Sequence, residues 1–346
     1  MMAITTTSLP RIAVIGTGGT ISSIGASSLD VLDYPDFGQK LSCEALLDRF
    51  PETRRVADPV PMTFRQVGST EIGPREWIEL RAVIHRIARD DPTFAGFDDP
   101  TFAGFVIPHG TATLEETGFF LNLTLAVRKP VVLVGAQRPA SALGSDAAMN
   151  LVSALRVAGS PEARGKGVLA VLNDEIHAAR DVVKTSTYRV QTFRSLDFGA
   201  LGHVDGDGVH FYRSPSRKHM PDTPFAALDL AALPRVDIVY SYAGADGALV
   251  DAAVAAGARG IVSAGFAPGS PTPEQRAAFE RAAKSGVVVV QCSRAFSGRV
   301  APRRRLRESG IVAGEDLSPQ KARILLMLAL STTSEIAAIQ EAFSTY

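Results

Sequence analysis

The sequence has few cysteines, no excess of charge of either sign and no histidine cluster. Its two cysteines, Cys43 and Cys292, lie far apart and match no metal or redox spacing, so we expect two thiols and no need for an oxidising compartment. The 36 basic and 36 acidic side chains cancel, so no overall field attracts nucleic acid or an anionic membrane. The six histidines form no ligand pattern such as HExxH, and we expect neither a metal nor another cofactor.

Long hydrophobic runs are also missing from the sequence. No apolar stretch is long enough to span a bilayer. The first ten residues, MMAITTTSLP, lack the basic start and apolar core of a signal peptide. The sequence as written therefore predicts a cytoplasmic protein, in which a leader that had been removed would not be visible.

What the sequence does contain is an alternation of short apolar runs and segments of helical period. Strands that are apolar on both faces and alternate with helices indicate a largely parallel sheet covered on both sides, and therefore an α/β fold. The predicted strands are Arg11–Gly16, Met62–Val67, Phe105–Pro108, Val131–Gly135, Val168–Asn173, Asp237–Tyr242, Gly260–Ala264 and Val287–Cys292. The predicted helices are Glu44–Arg49, Arg75–Arg89, Leu114–Val127, Ala147–Ala158, Ala248–Ala256, Pro273–Ser285 and Pro319–Leu330.

The length of 346 residues favours two domains. The stretch 213–234 is rich in proline around a polar run, a composition typical of a linker on the surface. We therefore predict a larger N-terminal domain at 1–212 with a mostly parallel sheet, a linker at 213–234 and a smaller flavodoxin-like α/β domain at 235–346.

The octapeptide DDPTFAGF occurs twice in tandem, at 90–97 and at 98–105. A single short repeat is not a solenoid signal, because solenoids need longer periods and several copies. Only the second copy runs directly into the apolar pair at 106–107, so we expect that copy to supply the strand. The first copy is then an extra loop, which costs little entropy.

A glycine-rich turn follows the first predicted strand, in the sequence IGTGGTISS. It superficially resembles a dinucleotide-binding loop, but Ile21 stands where GxGxxG has its third glycine, which argues against that function. We instead expect Gly18 and Gly19 to turn the backbone sharply and to present the hydroxyl of Thr20 at the carboxyl end of the strand, where open α/β sheets place ligands. The alternative is that the threonines of this segment only cap the turn.

The sequence VIPHGTATLEET again runs from a strand through a turn into a helix. Thr113 and Glu116 have the spacing of a capping box, so we expect Thr113 to cap the helix. Thr111 lies further out, at the end of the strand, and we expect it to face the same crevice as Thr20.

Two further segments carry candidate polar groups. A lone lysine such as Lys184 is usually a solvated surface charge. A lysine beside buried threonines, in contrast, has a lowered pKa because of desolvation, and it can act as a base. Ser69 and Thr70 end a strand before the helix that starts near Pro74. Their hydroxyls either receive a carboxylate or only cap that helix.

Together these segments resemble the bacterial-type L-asparaginase family, which includes the glutaminase-asparaginases. The blocks TGGTI, HGTATLEET, VVLVGAQRPASALGSDAAMNL and KARILLMLAL occur in the order of that family and extend over nearly the whole chain. The resemblance implies an amidohydrolase that acts on a small amino-acid amide and forms a homotetramer built from dimers. It implies no nucleic-acid or membrane partner.

The resemblance also implies roles for individual residues. It implies Thr20 as the nucleophile that attacks the side-chain amide of asparagine, and Tyr34 as a tyrosine on a mobile flap that contacts Thr20. It implies Thr111 and Lys184 as the pair that activates a hydroxyl or a water. The implied substrate contacts are Gly19, Ser69, Thr70 and the residue at position 112, which is Ala112 in this chain.

The chain departs from the family pattern at Ala112, because the family motif reads HGTDT and this chain reads HGTAT. The missing aspartate pairs with the lysine and receives the α-ammonium group of the substrate, so Lys184 is expected to lose its counter-ion. Loss of one member of a buried charged pair costs about 3–5 kcal/mol, or roughly a hundredfold to a thousandfold in rate or affinity. We therefore expect an impaired asparaginase. The alternatives are a catalytically silent amino-acid-binding homologue and an amidase for another substrate such as glutamine.

Overall fold

The structure, a computed structural model, describes residues 8–90 and 102–346 of the chain. The contacts of the chain separate it into two units, Met1–Ala227 and Leu228–Tyr346. The domain boundaries inferred from the sequence stay a prediction. Most of the tandem octapeptide, and with it the extra loop expected from its first copy, lies outside the described residues. The end of the second copy runs into a strand that begins at Gly104.

The larger unit is built on an eight-stranded sheet, with two further two-stranded ribbons in the part of the chain that the structure describes. Its strands are β1 (Arg11–Gly18), β2 (Ser23–Ile24), β3 (Gln39–Lys40), β4 (Asp58–Val67), β5 (Gly104–Pro108), β6 (Val131–Val134), β7 (Val168–Leu172), β8 (Glu175–Ala178), β9 (Val183–Lys184), β10 (Phe193–Arg194), β11 (Gly202–Val204) and β12 (Val209–Phe211). Its helices are α1 (Tyr34–Phe37), α2 (Cys43–Arg49), α3 (Pro74–Asp90), α4 (Leu114–Thr124) and α5 (Ala147–Gly159).

The strands of the large sheet follow the order β12-β11-β8-β7-β6-β5-β1-β4. From β4 to β7 all neighbours are parallel, whereas β8, β11 and β12 are antiparallel at the opposite edge. Every residue of β5, β6 and β7 is buried, as the continuous apolar runs of their sequences require. Because β1 lies between β4 and β5 and all three are parallel, their carboxyl ends meet at one edge of the sheet.

Helices cover this sheet and bury its apolar side chains. Leucines of α2 and α5, such as Leu46 and Leu155, form one core cluster with Ile12 of β1 and Val132 of β6. On α3, the ring of Trp77 stacks on Phe120 of α4, with the ring centroids 5.6 Å apart. The packing therefore fixes α4, which follows directly from the turn at the end of β5.

The smaller unit is also α/β. Its strands are β13 (Val236–Tyr240), β14 (Gly260–Gly265), β15 (Val288–Ser293) and β16 (Val312–Ala313). They form a fully parallel sheet in sequential order. Its helices are α6 (Ala248–Ala255), α7 (Pro273–Lys284), α8 (Arg304–Glu308), α9 (Pro319–Leu330) and α10 (Ile336–Thr345). Cys292 of this unit and Cys43 of the larger one are both buried free thiols.

Each strand and helix predicted from the sequence is present, and the α/β class is confirmed. The ends differ by a few residues: β4 begins at Asp58, ahead of the predicted Met62, and α4 ends at Thr124, short of Val127. The short antiparallel strands, the short parallel strand β16 and helices α1, α8 and α10 were not predicted. Strands of two to four residues show no periodicity of their own, because only pairing with a neighbour defines them. No helix within residues 8–90 and 102–346 has the length and apolar character needed to cross a membrane.

Candidate active site

The turn after β1 packs the first glycine-rich motif against the end of β4. Gly18 and Gly19 have φ angles of 102° and 81°, a conformation that L side chains rarely adopt. A Cβ atom on Gly18 would overlap the carbonyl oxygen of Val67, which accepts a hydrogen bond of 2.9 Å from the N–H of Gly19. The sharp turn that the sequence predicts is therefore present, and Thr20 follows it directly.

The turn after β5 lies in direct backbone contact with the turn after β1. A Cβ atom on Gly19 would overlap the Cα of Gly110. A Cβ atom on Gly110 would in turn lie 2.5 Å from the Cβ of Ser69, in the turn after β4. The glycines thus bring together three turns, which carry Thr20, Ser69 and Thr111.

The neighbouring Thr17 has a structural place in this arrangement. Its hydroxyl donates a hydrogen bond of 3.0 Å to the carbonyl of Pro108, and the residue is 1% exposed. Thr17 therefore ties the end of β1 to the end of β5, while Thr20 remains partly exposed.

The hydroxyl of Thr20 is hydrogen bonded to a buried tyrosine. Its Oγ1 lies 3.0 Å from the Oη of Tyr34, the first residue of α1. Burial raises the pKa of Tyr34 above its ordinary value, and the hydrogen bond with Thr20 opposes that rise. The phenol therefore stays protonated at neutral pH and either donates a hydrogen bond to Thr20 or accepts one from it.

The segment between β2 and β3, which carries Tyr34, is tied to the loop at 140–143. Three hydrogen bonds of 2.8 Å join the two: from Gly25 N–H to Ser141 Oγ, from Ala140 N–H to the carbonyl of Ser23, and from Leu143 N–H to the carbonyl of Ser28. These bonds hold the tyrosine segment in the position in which Tyr34 contacts Thr20. The mobility that the sequence suggests for this segment stays a prediction.

A second hydroxyl is paired with a lysine. The Nζ of Lys184 donates a hydrogen bond of 2.8 Å to the Oγ1 of Thr111, across 73 positions of the sequence. Thr111 is buried, and Lys184 on β9 is partly buried. Burial lowers the pKa of Lys184 below its ordinary value, and the negative charge of Glu115 opposes that fall. A lowered pKa increases the fraction of neutral amine, which is the form that can accept a proton from a hydroxyl.

Glu115 is a candidate that the sequence reasoning missed. Its Oε2 accepts a hydrogen bond of 2.9 Å from the backbone N–H of Lys184, and the residue is 7% exposed. The lowered pKa of Lys184 agrees with the expectation that alanine at position 112 removes a counter-ion, and the charge of Glu115 on α4 opposes that fall only in part. The available signal was a glutamate in a helix that is otherwise buried almost throughout.

The candidate substrate-contact residues meet between the turns after β4 and β5. The hydroxyl of Ser69 accepts a hydrogen bond of 3.2 Å from the N–H of Ala112, and its carbonyl accepts one of 2.7 Å from the hydroxyl of Thr113. Thr113 makes no capping bond to α4, so the capping box expected there is wrong: the hydroxyl joins the two turns instead. Ala112 and Thr70 are both exposed, next to the buried Thr111.

A chain of buried hydrogen bonds supports the turn after β5 from behind. His109 Nδ1 lies 2.8 Å from the carbonyl oxygen of Gly110, and its Nε2 lies 3.0 Å from the Oγ1 of Thr117. Burial lowers the pKa of His109 from 6.5 to about 4, so the ring is neutral at pH 7. Since a carbonyl can only accept, Nδ1 carries the proton, and Nε2 accepts from Thr117, which itself accepts from Trp77 Nε1 at 2.9 Å.

One group of side chains has the spacing of a possible cation site. Ligand atoms of Asp205, Asp207 and His210 lie within 4.8 Å of one another. The two carboxylates are exposed, and Asp207 and His210 already contact each other at 3.1 Å. The group lies on the hairpin of β11 and β12, at the edge of the sheet opposite to β4, and has no part in the site.

Two family models match the chain. The model described as asparaginase, N-terminal, matches residues 11–217. The model described as glutaminase/asparaginase C-terminal domain matches residues 235–343. Together the two matches cover both structural units.

Individual relatives match along almost the whole length of the chain. L-asparaginase 2 of Bacillus subtilis (strain 168) is 41% identical over 98% of this chain and 87% of its own. A glutaminase-asparaginase of Pseudomonas fluorescens biotype A is 35% identical over 99% of this chain and 92% of its own. The crystal structure of a probable cytoplasmic L-asparaginase from Campylobacter jejuni superposes with a TM-score of 0.90 at 38% identity, covering 97% of this chain and 100% of that one.

Proposed function

The chain belongs to the bacterial-type asparaginase family, and we propose that it is an L-asparagine amidohydrolase, which converts asparagine and water to aspartate and ammonia. The observation that carries the proposal is the pair of hydrogen-bonded hydroxyls, Thr20 with Tyr34 and Thr111 with Lys184, on turns in backbone contact. A small amino-acid amide is the class of substrate on which the asparaginase family acts.

Thr20 is the nucleophile in this proposal. Its oxygen attacks the side-chain amide carbon of asparagine, the C–N bond breaks, and the nitrogen leaves as ammonia after it takes up a proton. Water then hydrolyses the resulting ester of Thr20 and releases aspartate. A threonine hydroxyl is a weak nucleophile, so the reaction requires a group that removes its proton. Tyr34 remains a neutral phenol at neutral pH and orients the hydroxyl through its 3.0 Å hydrogen bond.

Lys184 and Thr111 form the proton relay in this proposal. The neutral amine of Lys184 takes the proton of Thr111, which in turn takes a proton from the attacking hydroxyl or from a water. Burial favours this step because it lowers the pKa of Lys184, and Glu115 limits the fall. Two opposite effects therefore set the pKa of Lys184: burial lowers it and the charge of Glu115 raises it.

The turns also supply groups for the substrate and for the transition state. Candidate donors to the oxyanion of the tetrahedral intermediate are backbone N–H groups of the turns after β1 and β5 other than those of Gly19 and Ala112, which already bond to Val67 and Ser69. Ser69 and Thr70 are candidate contacts for the α-carboxylate. Ala112 is exposed beside them and offers no charge to the α-ammonium group, so we propose that binding and turnover of asparagine are weakened.

The remaining parts of the proposal concern assembly and location. We propose a homotetramer built from dimers, on the basis of the family resemblance. We also propose a cytoplasmic protein, which agrees with the description of the Campylobacter jejuni structure. The domain organisation 1–212, 213–234 and 235–346 is supported by the family matches, of which the first ends at residue 217 and the second begins at residue 235.

A specific observation favours a second candidate function. Because Ala112 removes a charge but leaves the hydroxyls in place, a homologue that binds an amino acid without turning it over would have the same site. Calorimetric titration with aspartate, together with an ammonia assay, separates the two functions. Binding without ammonia release from either asparagine or glutamine would support the silent homologue.

The test of the enzyme is release of ammonia from L-asparagine and from L-glutamine by the purified chain. We expect slow release from asparagine that Thr20→Val abolishes and Tyr34→Phe reduces by about tenfold to a hundredfold through kcat. The matched controls Thr332→Val and Tyr212→Phe change exposed side chains far along the sequence and should leave the rate unchanged. Ammonia release that survives Thr20→Val would contradict the assignment of the nucleophile.

A further inference from the structure

The larger unit contains a cavity that the proposed reaction does not use. Its volume is about 180 Å³, roughly the space of six waters, and it lies between Asn122 of α4, the residues after β8 and the loop at 213–219. None of the eight residues implied in catalysis or substrate binding lines it. The cavity is therefore separate from the paired hydroxyls.

The lining of this cavity is strongly basic. One acidic side chain, Asp181, faces five basic ones: Lys166, Arg180, Arg213, Arg217 and Lys218. The chain as a whole has no net charge, so this concentration of positive charge is local. Basic groups gathered around a concave space raise the local concentration of anions.

The basic side chains are positioned by their contacts. Arg180 is 7% exposed and pairs with Asp181, at 3.2 Å between Nη1 and Oδ1. The Nζ of Lys166 donates to the hydroxyl of Ser214 at 2.8 Å, and the guanidinium of Arg213 donates to the carbonyl of Phe198. These last two acceptors are neutral.

The charges of three lining residues are not compensated by protein carboxylates. Within the described residues, no acidic side chain forms an ion pair with Lys166, Arg213 or Lys218. An anion in the cavity would therefore gain the attraction of these groups without displacing a protein carboxylate from any of them.

A side-chain amide at the cavity offers a further hydrogen-bond donor to an anion. Asn122 is 4% exposed and lines the cavity. Its Oδ1 accepts a hydrogen bond of 2.9 Å from the N–H of Val168, which fixes the orientation of the side chain. Its Nδ2 makes no hydrogen bond within the described part of the chain and remains accessible to solvent. An anion in the cavity would provide this amide with an acceptor.

We propose that this cavity binds a small doubly charged anion of the phosphate or dicarboxylate class. Lys166, Arg213 and Lys218 supply the charge, and Asn122 donates a hydrogen bond from its amide. The volume accommodates a phosphate group or a four-carbon dicarboxylate and is too small for a nucleotide, because nucleotide-sized ligands occupy pockets of at least about 300 Å³.

The experiment is a calorimetric titration of the full-length chain with inorganic phosphate and, separately, with succinate, both against sodium chloride of equal ionic strength. We expect saturable binding of at least one of the two anions, and the two arms decide which chemistry the cavity prefers. In the double variant Lys166→Gln and Arg213→Gln, the dissociation constant should rise about tenfold to a hundredfold. Asn122→Asp keeps the acceptor for Val168 but adds a negative charge, and it should weaken binding by a similar factor.

Two controls separate this cavity from other anion sites. Arg55→Gln removes an exposed positive charge elsewhere on the same unit and should leave the dissociation constant unchanged. Lys184→Met removes the lysine of the proposed relay and should also leave it unchanged. Absence of saturable binding for both anions would overturn the proposal, as would binding that Lys184→Met abolishes or that the cavity variants leave intact. The outcome does not depend on whether the chain hydrolyses asparagine.

Discussion

The buried carboxylate of Glu115 accepts a hydrogen bond of 2.9 Å from the backbone N–H of Lys184, the lysine that donates to Thr111. Helix α4 and strand β9 thus contribute opposite charges to one buried location, 69 positions apart in the sequence. Burial alone would favour a neutral amine, and the carboxylate moves the equilibrium back toward the ammonium. The relationship shows that the loss of aspartate at position 112 does not leave the lysine without a negative neighbour.

Ala112→Asp should increase the rate of ammonia release from asparagine. The new carboxylate would lie at an exposed position next to Thr111, where it can receive the α-ammonium group of the substrate. We expect a gain of about a hundredfold in kcat/KM. The measurement is steady-state ammonia release, and Ala112→Asn, which has similar size but no charge, is the control. An aspartate variant that is no faster than the asparagine variant would show that charge at this position is not what limits the enzyme.

Glu115→Gln should shift the pH dependence of kcat/KM. Glu115 raises the pKa of Lys184, so its neutralisation lowers that pKa further. If neutral Lys184 is the base, activity rises with pH through this pKa, and the rising limb of the profile should move to lower pH in the variant. Glu162→Gln, which changes an exposed carboxylate on the same unit, is the matched control and should leave the limb in place. If the variant remains folded and the rising limb of its pH profile does not move, Lys184 is not the base.

Gly19→Ala should abolish activity and lower the stability of the fold. The added Cβ would overlap the Cα of Gly110, and the φ of 81° is unfavourable for alanine. Gly206→Ala is the control, because a Cβ there meets no atom within 4 Å. The temperature of thermal unfolding and the rate of ammonia release should both fall in Gly19→Ala and remain unchanged in Gly206→Ala. Wild-type activity in Gly19→Ala would mean that the two turns are not packed as closely as the structure shows.

His109 should make the free energy of unfolding depend on pH between about 6.5 and 4. Its pKa falls from 6.5 to about 4 in the folded state, so the unfolded chain binds more protons in this window and the folded state loses stability as the pH falls. The shift corresponds to about 3 kcal/mol at its full extent. Above pH 6.5 the contribution vanishes, because the ring is neutral in both states.

Urea unfolding at several pH values tests this linkage. His109→Asn should be less stable than the parent at pH 7, because it disturbs the chain through Thr117 to Trp77, yet it should lose less stability on acidification. His203→Gln, which changes a histidine on β11, should retain the parent's pH dependence. If the parent and His109→Asn lose the same free energy of unfolding on acidification, His109 is not the group that titrates.

The local sequence was sufficient to predict the structure of those segments whose conformation depends only on their own residues. The alternation of apolar strands and helices predicted the long elements of both units except helix α10. The turn at Gly18 and Gly19 was predicted because only glycine tolerates such φ angles without strain. The same local reasoning was wrong for Thr113, whose spacing to Glu116 suits a capping box but whose hydroxyl bonds to the carbonyl of Ser69, 44 positions away.

The sequence by itself determined the α/β class, the family, and the identity of the polar residues at the strand ends, because periodicity, glycine turns and short motifs are properties of contiguous segments. Only the tertiary structure decided which of these residues meet. The pairing of Lys184 with Thr111, the buried charge of Glu115 beside them and the basic cavity around Asn122 all join segments that are distant in the chain. Burial and electrostatic interactions depend on distance in space, so no pattern within one segment could have indicated them.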